Sequence, residues 1–153
     1  MSPFDFDPPN EITLHRIVWH PEEFQDGSPT SSAVLPSSDL TNSDRFVSVD
    51  RSDLFDFAAA SEIVSEQRKR GLGRGKEYET AKIVDLPCGG VRSVADEAGA
   101  NPLSVTPEPE EFNPAHCGIR NTSGKKGRGY INFIRGEVMS LITRCWSLEP
   151  KGE

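Results

Sequence analysis

Strand-forming and helix-forming segments follow one another along this chain without a regular β–α–β rhythm. That irregular order limits the fold more than any short motif does, because a doubly wound parallel sheet requires the regular alternation. The expected class is therefore α+β, a small mixed sheet with a C-terminal helix. Residues 12–20 are rich in β-formers and are closed by Pro21. Period two puts Ile12, Leu14, Arg16, Val18 and His20 on one face and His15, Ile17 and Trp19 on the other. Further strands are expected over 45–51, 78–86 and 103–106, and a last one leading out of the Asn113-Pro114 turn. Residues 21–44, full of Ser, Pro, Asp and Thr, read as a long structured loop around Ala33-Val34-Leu35. Ser52 is expected to cap a helix running to about Arg70, with Leu54, Phe57, Ala58, Ser61 and Val64 buried. A short helix is expected over 91–98, stopped by Gly99. The clearest helical spacing lies in 130–146, with Ile131, Ile134, Val138, Leu141, Ile142 and Cys145 on one stripe.

The 153 residues, 35% of them hydrophobic, suffice for one domain with a modest core. The expected division is an acidic flexible tail over 1–10, a single domain over 11–148 and a flexible C-terminus over 149–153. The net charge of −7 is uneven: −8 over residues 1–60, −2 over 61–110 and +3 over 111–153. Overall acidity argues against general DNA binding, while the basic back still admits a local anion site. The opening residues carry neither a basic n-region nor an apolar h-region, and no apolar run approaches the ~18 residues of a membrane span. Cys88, Cys117 and Cys145 are odd in number and form no Cys-x-x-Cys pair, which fits reduced thiols. The expected location is cytoplasmic, with no membrane association.

Few residues carry obvious chemistry. No ligand spacing among His15, His20, His116 and the cysteines supports a metal, so none is expected. The stretch Gly71-Leu72-Gly73-Arg74-Gly75-Lys76 follows a helix and precedes a strand, the reverse of a phosphate-binding loop, and reads as a basic connector. Basic residues gather at Arg68, Lys69, Arg70, Arg74 and Lys76, and again at Arg120, Lys125, Lys126 and Arg128, where contact with a nucleotide or RNA is open. No Gly-x-Ser-x-Gly elbow marks a nucleophile. Polar residues inside apolar strands need a reason, since burying them without partners is costly. Arg16 and His20 share one face of the first strand, Ser48 sits in the middle of Val47-Ser48-Val49, and His116 and Arg120 begin the last strand. Convergence of Arg16, Ser48 and His116 as a catalytic set, with His20, Arg51 and Arg120 binding a phosphate-bearing ligand, is the functional expectation. The plainer reading pairs Arg16 with an acid such as Asp50 and has His116 bond a carbonyl to hold the Asn-Pro turn. Glu62 and Glu66 fall on a helix face and are expected to be solvated.

The segment from Val105 to His116, ending in Asn113-Pro114-Ala115-His116, resembles the end of RES-domain toxins, whose fold is similar to that of ADP-ribosyltransferases and which destroy NAD. That wider group opens with a strand bearing an Arg or His, as Leu14-His15-Arg16 does, and places a polar residue on a following strand, as at Ser48. The whole chain also resembles a bacterial family marked by His20-Pro21, the Gly27 to Ser31 segment, Ser48-Val49-Asp50-Arg51 and Asn113-Pro114-Ala115-His116-Cys117. The Gly-Gly-Arg-Trp segment of RES proteins is missing. The resemblance implies a small intracellular protein with an ADP-ribosyltransferase-like cleft for NAD or another nucleotide, acting as a toxin or defence component. NAD is then a candidate substrate and no other cofactor is named. The rival expectation is a non-catalytic accessory protein that binds a protein partner through its acidic N-terminal surface or its C-terminal helix.

Overall fold

The computed structural model describes residues 4–148; the expected C-terminal tail over 149–153 and the first three residues lie outside that range. Strand β1 (Thr13–His20) pairs on one side with β4 (Val47–Arg51) and on the other with β5 (Thr80–Pro87). Strands β6 (Leu103–Pro107), β7 (His116–Asn121) and β8 (Arg144–Ser147) complete a six-stranded sheet in the order β6-β7-β4-β1-β5-β8. Every neighbouring pair runs antiparallel, which corrects the mixed sheet expected from the sequence. Parallel neighbours need a crossover of a dozen or more residues, and the link between β6 and β7, residues 108–115, is too short for one.

The long loop expected over 21–44 holds more structure than its composition suggests. A hairpin of β2 (Phe24–Gln25) and β3 (Ser28–Pro29) is followed by α1 (Ser31–Val34) and α2 (Ser37–Thr41). The Thr30 hydroxyl caps α1 by accepting from the Ala33 amide at 3.2 Å. Ala33, Val34, Leu35 and Leu40 from this region enter the main core.

The next helix, α3 (Phe57–Gly73), starts later than expected. Asp56, not Ser52, caps it by accepting from the Ala58 and Ala59 amides, and Ser52 opens a short 3-10 turn while its hydroxyl accepts from the Thr13 amide at 3.0 Å. The buried side of α3 is Ala59, Ala60, Val64 and Gly71, so of the expected stripe only Val64 is fully buried. Small residues face the sheet here because Trp19 and Tyr78 supply the bulk, their rings stacked at 4.8 Å. A Cβ at Gly71 would stand 2.7 Å from the Tyr78 ring, so this glycine serves packing rather than phosphate binding.

The expected helix over 91–98 is instead α4 (Cys88–Arg92), and Gly99 takes φ +82° in a turn closed by Asp96, which accepts from Ala98 and Ala100. The last helix is α5 (Arg128–Met139), with Ile131, Ile134 and Val138 buried as its spacing predicts. It stops short of Trp146 because the β-forming Arg144-Cys145-Trp146 segment pairs with β5 as strand β8.

The two faces of the sheet are covered unequally. Leu14, Val18, Val49, Val84, Leu86 and Ile119 point into the main core, closed by α1, α2, α4 and α5. The opposite face meets α3 over Trp19, Ala81 and Ile83, in a smaller cluster with Leu148. The chain before β1 is tied down: Arg51 donates to the Phe6 carbonyl and lies 4.1 Å over the Phe6 ring, and Arg92 donates to the Pro8 carbonyl. No helix among the described residues is long and apolar enough to cross a membrane.

Candidate functional site

Because α3 covers only part of the second face, a cleft of about 540 Å³ opens between it, strands β1 and β4, and the turn carrying Glu110 and Phe112. That volume suits a small organic ligand. Arg16, Ser48 and His116, expected to converge, all line it. His20 does not: it lies at the far end of β1, edge-on to the Phe24 ring at 4.7 Å. Nor does Arg51, which is fully buried, with Nε donating to Asp53 Oδ1 at 2.8 Å and Nη2 to Oδ2 at 3.0 Å. Arg120 is also outside the cleft lining, donating to Glu108 Oε2 at 2.7 Å above the Phe46 ring. A Cβ at Gly118 would stand 2.6 Å from that ring, so the glycine lets Phe46 lie flat on β7.

Arg16 reaches the cleft wall without offering its donors to it. The β1–β4 ladder closes at Leu14–Arg51 and His15–Asp50 only. Past that point Arg16 donates Nη1 to the Ser48 carbonyl at 3.0 Å and Nη2 and Nε to the Ala33 carbonyl at 3.0 and 3.3 Å. It thereby links β1, β4 and α1. Burial lowers its affinity for a proton, while Glu23 and Asp39 pull the other way. The pairing expected with Asp50 is replaced by these carbonyls.

The chemical centre of the cleft is a row the sequence did not single out. Strand register sets Asp85 opposite His15, His15 opposite Asp50, and Asp50 opposite His116, so Asp–His–Asp–His runs across β5, β1, β4 and β7. Directly opposed side chains on one face stand about 4.5–5.5 Å apart at Cβ. His15 Nδ1 lies 2.7 Å from Asp85 Oδ1, and the same oxygen accepts from Trp146 Nε1 at 2.9 Å. The carboxylate holds His15 Nδ1 in its protonated form, which leaves Nε2 with a lone pair in the neutral ring. Phe55 and Trp146 meet the His15 ring edge-on at 4.8 and 5.7 Å and fix its plane. His116 is set the same way: Nδ1 donates to the Glu108 carbonyl at 2.9 Å, with Glu110 Oε1 at 3.7 Å. The plainer sequence reading of His116, a carbonyl bond holding the turn, is therefore realised together with its place in the cleft.

Between the two imidazoles, Asp50 is 6% exposed and accepts from Asn113 Nδ2 at 3.0 Å. Burial pushes its carboxyl above the usual carboxylate range, against the pull of the Asn113 bond and of the His116 and His15 rings. Glu62 and Glu66 are exposed, as expected of a solvated helix face, and they also line the cleft from α3 together with Arg70, one helical turn apart each. The i, i+4, i+8 spacing of 62, 66 and 70 was the available signal for them. Asp50 and Asp85, single acids inside apolar strands, carried the same signal as Ser48. No group of three or more His, Cys, Asp or Glu side chains among the described residues is arranged to hold a metal ion.

Comparison of the chain with protein-family models, with curated proteins and with solved structures returned no match.

Proposed function

We propose that the cleft binds a nucleotide of the NAD type and cleaves its N-glycosidic bond, as an ADP-ribosyltransferase-like domain of an intracellular toxin or defence component would. The observation that supports this most is the Asp85–His15–Asp50–His116 row, two oriented imidazoles flanking a buried carboxyl inside a ligand-sized cleft. When nicotinamide leaves, it takes the bonding electron pair from ribose C1′, and positive charge develops on the sugar. Asp50, Glu62, Glu66 and Glu110 make the cleft acidic where such charge would develop. Water then forms the new C1′–O bond, and its proton passes to Nε2 of His15, whose imidazolium is stabilised by Asp85. Ser48, exposed at the cleft wall, would on this reading hydrogen-bond the carboxamide of the departing ring.

A protein partner bound through the acidic tail or α5 has less support. Arg51 engages the Phe6 carbonyl and one face of its half-exposed ring, and Ile131, Ile134 and Val138 of α5 are buried in its own core.

The test is incubation of the full chain with NAD at neutral pH, followed by chromatography for nicotinamide. Release that is lost in His15→Ala is the expected result. Absence of both nicotinamide release and any thermal shift with NAD or ADP-ribose would overturn the reading.

A further inference from the structure

The cleft does not end at Arg70. A smaller hollow of about 150 Å³ continues from it along α3 and shares Arg16, Ile17, Gln67 and Arg70 with its wall. Its remaining lining includes Trp19, Tyr78, Glu23 and Arg74. Along this path the charge reverses. The cleft sets four carboxylates, Asp50, Glu62, Glu66 and Glu110, against Arg16 and Arg70. The hollow sets Arg16, Arg70 and Arg74 against Glu23 alone.

Glu23 has one oxygen committed within the fold, because its Oε1 accepts from the Trp19 amide at 2.9 Å, so the hollow keeps a net positive lining. Arg70 and Arg74 stand one helical turn apart at the end of α3, and among the described residues neither guanidinium is engaged by a carboxylate or a carbonyl. Arginines at a helix end often serve the carbonyls left open there. Here the Gly71 and Leu72 carbonyls already accept from the Arg74, Gly75 and Lys76 amides at 2.7–3.0 Å. The two guanidinium forks are thus available, beside a flat wall of stacked Trp19 and Tyr78 rings.

We infer that Arg70 and Arg74 form an oxyanion subsite for phosphate or pyrophosphate, so that the cleft and its extension together take a bipolar ligand. Its anionic end lies on the arginines, and its reacting end, neutral or cationic, lies against the Asp–His row. The part concerning one shared ligand rests on the proposed function. It also moves phosphate recognition from the expected His20, Arg51 and Arg120 to Arg70 and Arg74, two of the basic residues whose contact with a nucleotide or RNA the sequence left open.

The chain has two tryptophans, one at each end of this path: Trp19 lines the extension and Trp146 bonds Asp85. Their indole N–H signals in a ¹H–¹⁵N spectrum therefore report the two ends separately. Inorganic pyrophosphate, titrated at constant ionic strength, is expected to move the Trp19 signal saturably and leave Trp146 in place. In Arg70→Gln/Arg74→Gln the dissociation constant should rise about tenfold or more, as loss of paired charge-assisted bonds implies. The same spectrum shows whether that variant is folded, and Arg70→Lys/Arg74→Lys should retain part of the affinity. An unmoved Trp19 signal, or equal binding by the glutamine variant, overturns the subsite. Pyrophosphate binding without nicotinamide release supports the subsite while ending the catalytic proposal. Nicotinamide release with an unchanged KM for NAD in the glutamine variant overturns the subsite while leaving the catalytic proposal standing.

Discussion

The two faces of the sheet are made by the same strands but solve different problems. On one, aliphatic side chains from β1, β4, β5 and β7 meet α1, α2, α4 and α5, and nothing polar is required of them. On the other, the same strands alternate to His15, Asp50, Asp85 and His116, and α3 covers only the end over Trp19 and Ile83. Period-two alternation thus places a core and a reactive row one residue apart along each strand. The open face tolerates buried carboxyls because each has a donor, Asn113 for Asp50 and both Trp146 and His15 for Asp85. The contrast teaches that the helix missing from half of one face is what makes a site available.

The sharpest way to break the contrast is at Arg51, a fully buried charge on the closed face. Asp53→Ala should cost roughly 3 kcal/mol, the low end for stranding a buried charge, because Arg51 is fully buried whereas the Asp53 side chain is 28% exposed. Chemical denaturation would read it as a drop in midpoint with unchanged slope. Leu14→Ala, on the same face, should cost about 3 kcal/mol by cavity formation, against near-neutrality for a site-face change. On the open face, His15→Gln should lower nicotinamide release by about 10²-fold, while the glutamine amide, able to donate to the Asp85 carboxylate in place of Nδ1, limits the drop in melting temperature.

The pH dependence separates two acids three residues apart. The Asp50 carboxyl titrates above its unfolded value of about 3.9, so the folded chain holds the extra proton and stability falls as pH rises from about 4 through the raised value. The Asp53 carboxyl is held low by its hydrogen bond from Arg51, so its contribution is full above about pH 4 and is lost as pH falls through the depressed value. Melting temperatures of Asp50→Asn across that range should lose the first slope and keep the second. The smallest effect is Ser48→Ala, within about 0.5 kcal/mol of the parent in stability, because the side chain is exposed at the cleft wall; a larger loss would mean the open face is structural after all.

Much of this division was legible in the sequence, and the rest failed for identifiable reasons. Alternation along residues 12–20 assigns Leu14 and Val18 to one side and Ile17 and Trp19 to the other, as found. The α5 stripe was equally plain as far as Val138. Cys145 and Trp146 kept a helical spacing by coincidence, and only the free edge of β5 decides that they form a strand. Register decided the site. Ser48 and His116 stood out as polar residues in apolar strands, but what sets Asp50 between His15 and His116 is pairing between strands far apart in sequence. Arg51 and Arg120 looked like free cations because sequence does not reveal that Asp53 and Glu108 already engage them.

The antiparallel edge formed by β8 has a practical consequence. Cys88 and Cys117 are buried, and burial pushes the Cys117 thiol up to about 12, whereas Cys145 on β8 is exposed. The native chain therefore presents one accessible thiol on the strand that also carries Trp146. By register Cys145 stands opposite Val84, on the closed face, so a fluorophore or spin label attached there, with no cysteine replaced, would report on the β8 edge from the side away from the Asp–His row and leave the cleft untouched.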